Sequence, residues 1–157
     1  MAVPNRLARE GEELVAHRFP TGSLGLASPA DLRRVADPPA PVRRSFWRAA
    51  VEFFSPPKAE PVAAVCIPPG ARLQLQDIPA RLQHDLGVGP VEEVIFTQIS
   101  AAVNSYRDAV RFRNGREVRL QELREGQHVR VLDLSVAEEL DLERLREERP
   151  EFTYRSR

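Results

Sequence analysis

Residues Ser100 to Asp108 hold the densest set of groups able to make directed polar contacts. Asn104, Ser105, Tyr106, Arg107 and Asp108 fall within five positions. Tyrosine and arginine dominate the energetics of binding surfaces, and loops on rigid scaffolds commonly carry recognition. Asn104, Tyr106, Arg107 and Asp108 are therefore expected to bind a partner. The competing reading makes Asn104 and Asp108 turn caps and packs Tyr106 on the body of the fold. Catalysis here would need an acid, a base and a nucleophile to converge. The groups able to do so are Tyr106, Asp108 and either His84 or His128.

Other chemistry finds little in the spacing. His17, His84 and His128 are scattered, Cys66 is the one thiol, and no H-x-x-x-H or C-x-x-C pair occurs, so no metal site or cofactor is expected. Cys66 lies in an apolar run and is expected to pack as a small hydrophobe. Gly87-Val88-Gly89-Pro90 follows a helix and precedes a strand, the reverse of a phosphate cradle. Thr21 to Gly25 is closer to a flexible loop and lacks the Lys-Ser/Thr ending of a P-loop, so both segments read as turns. No G-x-S-x-G element is present.

Charge gives a weak argument for nucleic acid. The 157 residues carry 23 basic and 23 acidic side chains, a net charge of zero. Arginine supplies all but one of the bases, and it suits bidentate contact with phosphate. Arg111, Arg113, Arg116 and Arg119 could form a basic stripe on one face of a hairpin, a possible nucleic-acid surface. Glu117, Glu122 and Glu125 lie nearby, and aromatic stacking platforms are scarce.

The elements that must position these groups divide along the chain. Eleven of the 14 prolines lie within residues 1–69, six of them between Pro38 and Pro61. Such a stretch favours extended polyproline geometry over sheet interior. Residues 1–61 read as an arm with short helices, 62–135 as a β-rich core, and 136–157 as a capped helix and tail. Ser28-Pro29-Ala30-Asp31 opens one short helix in the arm. Ser45 to Phe54 forms an apolar stripe bearing Phe46, Trp47, Phe53 and Phe54. It is expected either to dock on its own scaffold or to insert into a partner.

In the core, Val62–Ile67 and Val91–Ile99 read as strands, and Leu73 and Leu75 share one face of Ala71–Gln76. Ile78 to Leu86 predicts a helix stopped by Gly87. Asn114-Gly115 suggests a two-residue hairpin turn, but that register sets Phe112 against Glu117. Pairing apolar with apolar, Val110 or Phe112 opposite Val118, requires three loop residues with Gly115 left-handed. Leu120, Leu123, Gly126, Val129 and Val131 follow the pattern of small closed β-barrels. Ser135-Val-Ala-Glu138 reads as a capping box.

The expected fold is α+β: a small, strongly bent antiparallel sheet or partly open β-barrel with short flanking helices. The longest apolar run has six residues, and the first residues lack the apolar core of a signal peptide. A soluble cytoplasmic protein of bacterial type without a membrane partner is expected. Its expected role is non-enzymatic, an adaptor or assembly subunit that binds a protein or itself. A nucleic-acid-binding barrel and a small enzyme near residues 100–108 are the alternatives.

Overall fold

Leu73 and Leu75 lose all but a trace of solvent contact because the strand carrying them has a neighbour on each side. The structure is a computed structural model that describes residues 3–36, 61–99, 107–137, 139 and 142–143. Its strands are β1 (Asn5–Leu7), β2 (Glu13–Arg18), β3 (Leu24–Ala27), β4 (Ala64–Cys66), β5 (Arg72–Leu75), β6 (Glu92–Gln98), β7 (Asp108–Phe112), β8 (Glu117–Arg119) and β9 (His128–Asp133). The helices are α1 (Pro29–Ala36) and α2 (Ala80–Leu86), with a 3-10 turn at Leu120–Glu122.

Seven strands form one sheet in the order β3-β2-β9-β5-β6-β7-β8, with every ladder antiparallel, while β1 and β4 pair in parallel beside it. The fold is thus α+β, as expected. The sheet bends enough for the turn after β8 to reach β3, yet no strand ladder joins β3 to β8 among the described residues. It does not close into a barrel. A register shift beside Arg72 and Leu73 on the β5–β9 ladder adds to the bend. One face gathers Leu14, Leu26, Leu73, Val94, Phe96, Val110, Val129 and Val131 into the core. The alternation of these positions with polar ones puts a single face inward.

The β7–β8 hairpin has the expected three-residue loop. Val110 stands opposite Val118, the Phe112 N–H donates to the Arg116 C=O at 2.8 Å, and Gly115 has φ +83°. Asn114 then caps a distant element. Its amide donates to the Leu86 C=O at 2.8 Å, and the Arg116 guanidinium reaches the Asp85 C=O at 3.2 Å, so the turn seals the end of α2. Gly87 stops that helix in the left-handed conformation, as its position predicted.

Several expectations need correction. Only short helices were expected before residue 62, but β1, β2 and β3 stand there, and Leu14, Ala16, Leu24 and Leu26 are core residues. The prolines that argued against sheet lie mostly beyond Ala36, so they never constrained this part. Thr21–Gly25 holds the turn expected of it, and that turn is ordered by the strands on either side. It closes the β2–β3 hairpin, with the Phe19 N–H on the Ser23 C=O at 2.9 Å and Gly22 at φ +84°. Cys66 does not pack inward, because Val65 in β4 and Ile67 just after it are buried and the alternate residue between them turns to solvent. Just before the helical residues 135–137, the Asp133 carboxylate accepts from the Ser135 N–H at 2.8 Å and from its hydroxyl at 2.6 Å, while Glu138, the other member of the expected capping box, lies outside the described residues. Phe46, Trp47, Phe53, Phe54, Asn104 and Tyr106 lie outside the described residues.

Candidate binding cleft at the Asp108 end of the sheet

Strand parity decides where Asp108 points. Val110 and Phe112, two and four residues on, are 1% and 3% exposed and face the core. Asp108 therefore starts β7 on the core-facing side, at the point where the apolar filling ends. Gln98 stands directly opposite on β6, and its amide donates to the Asp108 carboxylate at 3.4 Å. The rung beyond is closed by the Ile99 N–H on the Arg107 C=O at 2.9 Å. Burial pushes the Asp108 carboxyl above its usual range, while the Gln98 bond and the Arg107 charge pull it partly back.

Asp108 and Gln98 edge a cavity of about 640 Å³ between β3, β4 and the end of β6. Leu24, Leu26, Val65, Ile67, Phe96 and Leu120 give it an apolar floor. Its polar groups are Thr21, Ser23, Cys66, Gln98, Asp108 and Gln121. Such a balance, an apolar body with a few convergent polar groups, is that of a binding site. Besides the Gln98–Asp108 pair, three of these polar groups are already engaged: the Thr21 and Ser23 hydroxyls bond each other at 2.8 Å, and Gln121 is tied to Leu24. Gly25 completes the wall, since a Cβ there would lie 2.8 Å from the Phe19 ring.

A second, shallower cleft of about 510 Å³ opens beside α1, lined by Glu13, Ser28, Arg33, Gln76 and His128. His128 Nδ1 lies 3.0 Å from an oxygen of Asp77, which has φ +54°, a left-handed backbone that aspartate tolerates better than most residues. The Ser28 hydroxyl accepts the Ala30 N–H at 3.3 Å inside its own helix start. Among the described residues, no hydrogen bond joins Ser28 to His128. This pairing was missed because 51 residues separate its members.

The expected enzyme constellation is not brought together. Asp108 lines the first cleft, His128 the second, and His84 is 91% exposed on α2 beside Asp85. The hairpin arginines are also largely engaged. Arg111 pairs with Glu117 at 2.7 Å, Arg113 with Glu93 at 3.5 Å, and Arg116 with the end of α2. Arg119 projects to solvent from β8. Of the four residues expected to bind a partner in the 100–108 segment, Arg107 and Asp108 are described, and Asp108 lines the cleft.

Sequence reasoning missed the other wall of the cleft, although the alternation of Leu24 and Leu26 beside Gly22 carried the signal. Among the described residues there is no cluster of potential metal ligands, and no helix is long and apolar enough to cross a membrane. No family model, no curated protein and no solved structure matches the chain.

Proposed function

We propose that the chain is a non-enzymatic adaptor or assembly subunit that holds a protein partner at the Asp108 cleft. One observation carries this reading: a carboxylate occupies the inward-facing position where β7 meets an apolar cavity. An apolar residue there would extend the core and cost less to bury. A charge kept at such a position is accounted for by what it contacts from outside. Arg107 is next to it in the chain, and Asn104 and Tyr106, earlier in the same segment, are further contact residues in this reading. The aromatic stretch with Phe46, Trp47, Phe53 and Phe54 is a second contact element in the same reading, or part of the chain's own packing.

Nucleic acid at Arg111, Arg113, Arg116 and Arg119 is the weaker reading. At least two of those guanidinium groups would have to exchange a carboxylate for a phosphate. The test is affinity capture from native lysate with three versions of the full chain: wild type, Asp108→Lys, and a triple variant with Arg111, Arg113 and Arg119 changed to Ala. A protein retained by wild type and the triple variant but lost by Asp108→Lys is the expected result. Retention by Asp108→Lys overturns the cleft reading. Captured nucleic acid that is lost from the triple variant and falls steeply with salt favours the alternative.

A further inference from the structure

The chemistry of the cleft restricts what can fill it. Among the described residues that line it, Asp108 is the one ionisable acid besides the Cys66 thiol, and no basic residue lines it. Any occupant that displaces water from the floor also strips water from Asp108. A neutral apolar group would leave the carboxylate less solvated with nothing in exchange, and an anion would add repulsion. A cation on an apolar stem covers the floor and pairs with the carboxylate, offsetting both costs.

We infer that the cleft receives a lysine- or arginine-type side chain from a protein partner, its aliphatic stem on Val65, Phe96 and Leu24 and its cationic head at Asp108. The inference rests on the binding role proposed above and names the chemistry of that partner. Gln98 fits the same arrangement. Its amide N–H₂ already donates to Asp108, leaving its carbonyl oxygen as an acceptor close to where the head would lie. The dimensions agree as well: a cavity of about 640 Å³ has room for a long, flexible side chain together with neighbouring atoms of the segment that carries it.

The test titrates the full chain with n-hexylammonium, n-hexanol and n-hexanoate, following backbone amide shifts by NMR at neutral pH. The expected result is a preference of about tenfold for the ammonium over the carboxylate. Its shifts should centre on residues of β4, the end of β6 and Asp108, and the preference should vanish in Asp108→Asn. The wild-type comparison needs no variant to fold. Equal binding of ammonium and carboxylate, a preference for hexanol, or shifts away from the cleft would each overturn the inference. So would an unchanged preference in Asp108→Asn. Failure here, with the captured protein still lost from Asp108→Lys, removes the cationic side chain alone. Success here, with that protein retained, removes the adaptor reading and leaves a site for small cations.

Discussion

The side-chain amide of Gln121 bonds both backbone groups of Leu24, accepting its N–H at 2.9 Å and donating to its C=O at 2.6 Å. Ninety-seven residues separate the two. The amide does for β3 what a neighbouring strand would do, because a primary amide offers the same donor and acceptor as a peptide unit. It links the far ends of a sheet whose ladders leave β3 and β8 as edges. Gln121→Ala should cost about 1–3 kcal/mol, since both Leu24 groups are left unpaired near the cleft. Chemical denaturation measures the loss, and hydrogen exchange at the Leu24 amide should accelerate more than exchange at Leu73. Equal acceleration at both sites would mean that Gln121 supports global stability without holding the edge.

Two hairpins share one closing geometry. Phe19 and Ser23 close the first and Phe112 and Arg116 the second, with Gly22 and Gly115 at φ +84° and +83° as the third loop residue. A Cβ at either glycine meets nothing within 4 Å, so backbone conformation alone penalises substitution. Gly22→Ala and Gly115→Ala should each cost about 1 kcal/mol. Gly25 differs, because its space is filled by Phe19, and Gly25→Ala should cost about 1–3 kcal/mol through steric overlap. Thermal melts of the three variants would separate the mechanisms: Phe19→Leu should reduce the Gly25→Ala penalty and leave the Gly22→Ala penalty unchanged.

That repeated hairpin shows where the sequence was legible. The second was readable because a two-residue turn would have set Phe112 against Glu117, and that conflict fixed the register. The first carries the same Phe-x-x-Gly spacing, but Leu14-Val15-Ala16 has no polar alternation, and the six prolines between Pro38 and Pro61 give the neighbouring sequence a composition that disfavours sheet. Leu73, Leu75, Val129 and Val131 announced themselves by period two. Cys66 did not, because an unbroken apolar run conceals which face is buried. The cleft was half legible. Asp108 stood out by composition, but its inward parity depends on the β6–β7 register, and Leu24 and Gln121 meet through tertiary contacts that leave no local pattern.

The raised Asp108 pKa makes a signed prediction. The folded carboxyl holds its proton more tightly than the unfolded one, whose reference value is 3.8. Below that value both states are protonated and Asp108 contributes nothing to the pH dependence. As pH rises the unfolded chain ionises first, so folding loses stability until the folded carboxyl has also ionised. Asp108→Asn should therefore be more stable than wild type at pH 7, with the gain fading on acidification and gone below about pH 3.8. The open side of the cleft screens the charge and holds the gain under about 1 kcal/mol. Urea midpoints across pH 3–7 provide the check. A variant less stable than wild type at pH 7 would show that the carboxylate is a net structural asset.

Placing β2 between β3 and β9 makes the N-terminal region a structural part of the sheet. Removing residues 1–27 would take away β1, β2 and β3 and leave the β9 edge without its partner. Leu14, Leu24 and Leu26, each under 4% exposed, would go with them. At about 1.5–3 kcal/mol for each buried leucine, these three side chains alone approach the roughly 5–15 kcal/mol that holds a typical domain together. A chain beginning at Ser28 should therefore show no cooperative thermal transition and should expose apolar surface to a dye. Removing only the residues before Glu10 spares β2 and β3 but takes Arg6, which pairs with Glu12 ahead of β2. That shorter deletion should leave a cooperative melt at a lower temperature. A cooperative melt from the chain beginning at Ser28 would instead make β2 and β3 an appendage to a sheet that stands on β5, β6, β7 and β9.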